Sequence, residues 1–163
     1  MKYSGTWVAG ASWVLLIASC GPKVEPKVSF SPANTEAEVR AMLADYAEAQ
    51  RQNGVLGELP FLDTTDAFFW VPPGYTQAIS GDSVRAVLQK FAPTIRSVDG
   101  HWLTLDVHPL NDSIAVYTGR LRATNISIAG DSTTHELLET GVVARRVDGW
   151  KLLGGHTTVL PAQ

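Results

Sequence analysis

The sequence predicts an α+β domain in which helices come first and an antiparallel sheet follows. Apolar residues recur at helical spacing over 35–53 and again over 81–95. After Gly100 the pattern changes to runs typical of β-strands, with turn residues between them. This order favours a curved antiparallel sheet that folds over N-terminal helices.

The first helix is predicted over residues 35–53. Thr35 and Glu38 have the spacing of a capping box at its start, and Gly54 supplies a stop signal after its end. The residues that share its apolar face are Val39, Met42, Leu43 and Tyr46. We therefore expect this face of the helix to be buried.

Two short segments and a second helix are predicted before the sheet. Residues 54–65 are apolar but contain Gly57 and Pro60, which is typical of a short helix or turn packed on the core. Residues 67–71 form a β-prone run that ends at a Pro-Pro-Gly turn. A helix is predicted from Gly81, and the residues that recur at helical spacing in it are Val84, Val87, Leu88, Phe91 and Ile95.

Strand-like runs fill the second half of the chain. They cover residues 101–109, 113–127, 135–147 and 150–160. Turn signals separate them, and the last of these signals predicts a tight hairpin: Asn111-Asp112, Gly130-Asp131 and Asp148-Gly149. Short turns between successive strands predict antiparallel pairing.

Composition limits the classes of function. The chain has 163 residues, which allows one ordinary domain, and its 45% hydrophobic content argues against disorder. A net charge of −3 without any cluster of Lys or Arg argues against nucleic-acid binding. A single cysteine, Cys20, excludes a disulfide framework and a CxxC metal or redox site. We expect no nucleic-acid partner, no metal and no cofactor.

The first 19 residues have the layout of a secretory signal peptide, with a Lys, an uncharged apolar run over 7–17 and two small residues before Cys20. The run is shorter than the roughly 20 residues that a membrane-spanning helix needs. Residues 17–21, Ile-Ala-Ser-Cys-Gly, resemble a bacterial lipoprotein lipobox. The resemblance implies cleavage before Cys20 and its lipidation, and Gly21 implies the outer membrane in a Gram-negative cell. An ordinary signal peptide with an incidental cysteine is the alternative.

Three parts are therefore predicted along the chain. Residues 1–19 are the lipoprotein signal peptide, residues 20–34 are the lipidated cysteine and a flexible tether, and residues 35–163 are the folded domain. The tether prediction rests on three prolines and the absence of sustained periodicity between Gly21 and Asn34.

Two motifs accompany this order of elements: Phe-Trp-Val-Pro-Pro-Gly over 69–74, and a C-terminal run from Arg145-Arg146 through Asp-Gly-Trp to His156. With the element order, they resemble the nuclear transport factor 2-like superfamily over residues 35–160, and within it the SnoaL-like branch. The resemblance implies a cone-shaped sheet wrapped around the first helix, a pocket open at one end and frequent homodimers. It implies no single chemistry, since the superfamily includes ketosteroid isomerases, polyketide cyclases, dehydratases and binding domains.

The ketosteroid isomerase members require a carboxylate base and hydrogen-bond donors for an oxyanion. The resemblance matches Tyr46 to their donor tyrosine. It places the apolar Trp70 and Val71 at the position of the base, and no carboxylate over 140–142 at the position of the second donor, although Glu139 is close. We therefore do not expect that mechanism.

A ligand pocket is predicted from Tyr46, Phe69, Trp70, Trp102 and His156; the alternative for the aromatic residues is a plain core. His156 is the main functional candidate because it matches the closing motif of the superfamily. Strand alternation also places it on one face with Trp150, Leu152 and Gly154. A structural, hydrogen-bonded histidine is its alternative.

Acidic and imidazole groups on the predicted strands are further candidates. Alternation places Asp106 and His108 on one face with Trp102 and Thr104, as a base and its partner if that face lines the pocket, and otherwise as a polar surface or dimer rim. His101 and His108 fall on opposite faces, which argues against a shared metal. His135 and Glu139 share a face, but a third ligand is missing.

We expect a membrane-anchored envelope lipoprotein whose domain binds a small apolar ligand, dimerises, or does both, without robust catalysis. The alternative is a cofactor-free isomerase, cyclase or hydrolase that uses His156 with Asp106 or Glu139. A pure interaction module is the third possibility.

Overall fold

The computed structural model describes residues 30–161. The elements in chain order are α1 (Pro32–Asn53), a 3₁₀ helix (Gly54–Phe61), β1 (Phe69–Val71), α2 (Gly81–Phe91), β2 (Ile95–Pro109), β3 (Ile114–Ser127), β4 (Ser132–Arg146) and β5 (Gly149–Val159). The predicted signal peptide, Cys20 and the tether as far as residue 29 lie outside the described residues. Within the described part, no helix is long and apolar enough to cross a membrane.

The strands form one curved sheet in the order β1-β5-β4-β3-β2. The antiparallel meander from β2 to β5 confirms the predicted α+β class, and α1 lies against β2. β1 extends the sheet by pairing parallel to β5, with Phe69 opposite Gly154 and Trp70 opposite Gly155. The sequence pattern predicted this strand but not its partner.

The start of α1 corrects the predicted capping box. The helix begins at Pro32, and the Ser31 hydroxyl accepts a hydrogen bond from the Asn34 N–H at 3.4 Å. Proline suits the first turn because its missing N–H would have no helical partner there. Thr35 is buried at 3% exposure, one turn inside the helix, so it is not a cap. Residues 32–34, predicted as tether, are therefore helical.

The end of α2 is a second correction. The helix begins at Gly81 as predicted, with Ser80 as its N-cap, but it ends at Phe91. Ile95, predicted to lie on its apolar face, is the first residue of β2. Pro93 explains the difference, because it has no N–H to donate to the helix. The last helical hydrogen bond therefore comes from Ala92, whose N–H donates to the Leu88 carbonyl.

Two β-bulges decide which residues face the core. The β2–β3 register shifts between Trp102 and Thr104, so Leu103 is the extra residue, and the β4–β5 register shifts so that Leu153 is unpaired. A bulge reverses the alternation of faces beyond it. Trp102 therefore packs on the core with Leu105 and Val107. Simple alternation along the strand had placed Trp102 on the opposite face from these two residues.

The paired arginines of the C-terminal motif tie the sheet to the helices. The Arg145 guanidinium lies 4.7 Å from the centre of the Trp150 ring and forms an ion pair with Glu38 of α1. The Trp150 indole N–H also donates to Glu38, at 3.0 Å. This hydrogen bond is the largest cause of a lowered Glu38 pKa. In this chain the contacts of the motif are structural.

Candidate functional site

A cavity of about 390 Å³ lies between the helices and the inner face of the sheet. The exposed residues His135 and Val159 line it at the start of β4 and the end of β5, which marks where the cavity reaches the surface. Its size is typical of a small-molecule pocket. Its wall is mainly apolar and includes Phe68, Val84, Leu88, Leu121, Leu137 and Leu152.

A cluster of polar side chains interrupts this apolar wall. Glu58 comes from the 3₁₀ helix, Glu139 from β4 and Thr157 from β5. Tyr46 and Gln50 come from successive turns of α1, which places both on the same side of the helix. The cluster therefore collects side chains from four separate elements.

Glu139 is held by protein hydroxyl groups on both carboxyl oxygens. The Tyr117 hydroxyl donates to Oε1 at 2.7 Å, and the Thr157 hydroxyl donates to Oε2 at 3.1 Å. The Trp70 indole N–H in turn donates to the Thr157 hydroxyl at 3.2 Å. Burial raises the pKa of Glu139, and the two hydroxyl donors only partly offset this effect. Each carboxyl oxygen of Glu139 thus has a donor within the protein.

Glu58 is the less constrained carboxyl group. Gln50 Nε2 donates to Glu58 Oε1 at 2.7 Å and is 3.4 Å from the Tyr46 hydroxyl oxygen. The Tyr46 hydroxyl lies near Glu58 and lowers the pKa of Glu58. The hydrogen bond to Glu58 with a defined distance is the one from Gln50. Burial and the nearby Glu139 outweigh these donors and raise the pKa of Glu58 to about 7.

Glycines on the neighbouring strands make room for the aromatic residues of the site. A Cβ on Gly141 would lie 2.7 Å from the Tyr117 hydroxyl oxygen, and one on Gly155 would lie 2.8 Å from the Trp70 ring. The absence of a side chain at these two positions lets both aromatic side chains approach the backbone closely and reach the hydrogen bonds around Glu139.

The predicted pocket residues are only partly brought together. Tyr46 and Trp70 line the cavity. Phe69 points to the opposite face of the sheet, where it covers Gly154 and is 44% exposed. Trp102 packs edge-on against Tyr117 in the core, with ring centres 5.9 Å apart, and does not line the cavity.

The prediction that His156 lines the pocket is wrong. The bulge at Leu153 returns Thr157 to the inner face, so His156 lies on the outer face, where it is exposed. Glu139 faces inward, so these two residues cannot act together. Asp106 is also exposed, beside the buried Val107, which rules out the predicted pairing of His156 with Asp106 inside the cavity.

The other histidine candidates also lie away from the interior of the cavity. His101 and His108 are exposed on β2 and do not line the cavity, so His108 with Asp106 forms part of the surface. His135 lies at the cavity mouth. Within the described residues, no group of three His, Asp or Glu side chains is placed to hold a metal ion.

Glu58, Gln50 and Tyr117 are site residues that the sequence analysis missed. Gln50 lies one turn after Tyr46 on the face predicted to be buried, where a polar residue is a detectable signal. Glu58 stands between apolar residues in the segment predicted to pack on the core, which is a similar signal. Tyr117 had none, because its role depends on Glu139 of the neighbouring strand.

Comparison with known proteins by sequence finds no match: no family model matches the chain, and no curated protein does. Solved structures are similar in fold. A nuclear transport factor 2-like superfamily protein from Salmonella enterica is 14% identical, with a TM-score of 0.65 over 80% of this chain and 94% of that one.

Two further structures have names that include an activity. A candidate dehydratase from the same superfamily, from Streptomyces avermitilis, is 19% identical, with a TM-score of 0.65 over 81% of this chain and 100% of that one. A candidate scytalone dehydratase from Novosphingobium aromaticivorans is 11% identical, with a TM-score of 0.67 over 79% and 89%. At these identities the likeness concerns the fold and not the chemistry.

Proposed function

Because this chain has the nuclear transport factor 2-like fold, we propose that it binds a small, mostly apolar molecule inside the curved sheet, with a polar group of that molecule on Glu58. The supporting observation is the cavity of about 390 Å³ whose apolar wall surrounds one cluster of polar side chains. Burial of apolar ligand surface supplies about 25 cal/mol per Å², and the few polar groups orient the ligand.

Filling the cavity from β3 tests this proposal. Ala123 is 8% exposed and lines the cavity, whereas Thr124 lies on the other face of the same strand. We expect Ala123→Phe to weaken binding of the neutral fluorescent probe N-phenyl-1-naphthylamine at least about tenfold, since the new ring occupies the ligand's volume. Thr124→Phe is the matched control and should bind the probe like the unmodified protein.

Circular dichroism and the melting temperature establish whether Ala123→Phe is folded. If folded Ala123→Phe and Thr124→Phe bind the probe equally well, the ligand site lies elsewhere.

A second function, proton transfer without a cofactor, is favoured by Glu58. A general base works best when its pKa lies near the operating pH, and burial places that of Glu58 at about 7. The neighbouring Tyr46 hydroxyl would serve as a donor to an oxygen that gains negative charge. This assignment replaces the predicted one, which used His156.

Solvent deuterium exchange tests the second function. We expect the protein to catalyse incorporation of deuterium next to the carbonyl of an apolar cyclic ketone in D₂O, followed by NMR. Glu58→Gln should lower the rate by about 100-fold or more, because the base is lost. Glu48→Gln, which removes an exposed carboxyl group on α1, is the control. Equal rates in the two variants would exclude Glu58 as the base.

We further propose assignment to the SnoaL-like branch and a bacterial envelope location, anchored by lipid on Cys20 and at the outer membrane in a Gram-negative cell. The lipobox-like sequence supports the anchor. The first turns of α1 lie near the β4–β5 turn, since Glu38 contacts Arg145 and Trp150. The cavity mouth is at the other end of these strands, so the anchor would join the domain opposite its ligand site.

Native mass spectrometry of protein extracted from membranes tests the anchor. The expected mass is that of a chain that begins with acylated Cys20. The same spectrum gives the number of subunits, which is two if the domain dimerises as the resemblance to the superfamily implies. An unmodified Cys20 or retained residues 1–19 would overturn the envelope proposal.

A further inference from the structure

The charges that line the cavity are of one sign. Glu58 and Glu139 are its carboxyl groups, and none of its described lining residues is Lys or Arg. His135, the histidine among these residues, lies at the mouth, where it also borders a surface groove. A ligand in the interior therefore meets carboxyl groups and no basic side chain.

Basic residues near the cavity are engaged elsewhere. Lys151 of β5 donates to the Pro60 carbonyl at 2.7 Å and forms an ion pair with Asp148. Arg120 of β3 pairs with Glu136 of β4 at 2.6 Å, on the outer face of the sheet. These contacts hold the positive charges of Lys151 and Arg120 away from the interior of the cavity.

The titratable groups that face Glu58 come from three elements: Tyr46 from α1, Tyr117 from β3 and Glu139 from β4. Burial raises the pKa of both tyrosines well above the ordinary value, so they stay neutral. The cavity-lining residues of α2 and β2 are Val84, Val87, Leu88, Val98 and Gly100, none of which titrates.

The two carboxyl groups differ in what they can offer a ligand. Glu139 accepts protein hydrogen bonds on both oxygens, from Tyr117 and Thr157. Glu58 accepts one defined hydrogen bond, on Oε1 from Gln50. The difference lies at Oε2, which has a protein donor in Glu139, whereas the defined donor to Glu58 is on Oε1, so Oε2 of Glu58 is the carboxyl oxygen open to a ligand donor.

We infer that the cavity prefers apolar amines, whose ammonium group pairs with Glu58, over alcohols of the same size, and that it rejects carboxylates. This inference rests on the proposed ligand-binding function. A charge-assisted hydrogen bond to a buried carboxylate is about twice as strong as a neutral one. An anionic ligand would instead place a further negative charge beside Glu58 and Glu139 without a partner, which is costly in an apolar cavity.

Three ligands with the same number of carbon atoms separate these cases: octylamine, octanol and octanoate, each displacing N-phenyl-1-naphthylamine. At pH 8 we expect the amine to bind at least about tenfold more tightly than the alcohol, and octanoate to bind most weakly. Ionised Glu58 is the competent form, so the dissociation constant of octylamine should rise about tenfold from pH 8 to pH 6. Octanol carries no charge, so it reports any effect of pH on binding that does not depend on the ammonium group.

Glu58→Gln should reduce the ratio of amine to alcohol affinity to about one and remove its pH dependence, because the neutral amide cannot pair with an ammonium group. Glu48→Gln is the matched control, since it removes an exposed carboxylate of α1 that pairs with Arg51. It should keep the amine preference.

The outcomes distinguish this inference from the proposed function. If the probe and all three ligands fail to bind, the ligand-binding proposal is wrong. If amine and alcohol bind equally, or if octanoate binds best, the cavity holds ligands but the inference is overturned. An amine preference that survives in Glu58→Gln also overturns it.

Discussion

The free energy of unfolding is expected to fall by about 3 kcal/mol between pH 4.5 and pH 8 because of Glu58 alone. Burial raises the pKa of this carboxyl group from 4.5 to about 7 in the folded protein. The unfolded chain loses the proton near pH 4.5, whereas the folded protein keeps it until about pH 7. Rising pH therefore favours the unfolded chain across this window, and Glu58 causes little further loss above pH 8.

Urea denaturation of the unmodified protein and Glu58→Gln across this pH range measures the effect. The variant should lose the Glu58 share of the decline and be the more stable protein at pH 8. Glu139 adds a decline in the same direction because burial raises its pKa as well. The difference between the two proteins therefore gives the Glu58 share together with its coupling to Glu139. Parallel stability curves for the two proteins would show that Glu58 is not buried as described.

Replacing Asp63 by alanine is expected to lower the free energy of unfolding by about 3 kcal/mol. The Asp63 side chain is 1% exposed and accepts hydrogen bonds from Arg146 at 2.5 Å and from the Thr65 N–H at 2.8 Å. Burial alone would raise its pKa, but the donors Arg146 and Thr65 outweigh burial and lower it. The substitution leaves the half-exposed Arg146 and the Thr65 N–H without their partner.

The control for Asp63→Ala is Glu48→Ala, which breaks the exposed ion pair with Arg51 and should cost less than about 1 kcal/mol. Denaturant unfolding at pH 7 gives both values if the slope is unchanged. The contribution of Asp63 is present above its unfolded pKa of 3.8 and is lost as the pH falls through the lower folded value. Equal losses in both variants would contradict the buried position of the Asp63 carboxylate beside Arg146.

Local sequence signals predicted most of the elements correctly. The end of α1 at Asn53 and the start of α2 at Gly81 agree with the structure. The predicted hairpin at Asp148-Gly149 joins β4 to β5, and Gly149 has a positive φ of 112°, as a tight turn requires. The errors at Pro32 and Ile95 also have local causes, because each depends on a proline that the helical pattern did not take into account.

The candidate site was predicted less well because its members depend on register. Alternation placed His156 with Trp150, but one unpaired residue at Leu153 moves it to the outer face. The same kind of bulge at Leu103 moves Trp102 into the core. A bulge arises from pairing with another strand, so alternation along one strand cannot reveal it.

Sequence alone determined the class of the fold, the order of its elements and the apolar faces of its helices, because helical periodicity, strand alternation and turn residues act over a few positions. The tertiary structure decided that Glu58 and Glu139 share one apolar cavity while His156 and Asp106 remain outside it. Burial is the reason, since the pKa of about 7 at Glu58 exists only after distant segments have removed its carboxyl group from water.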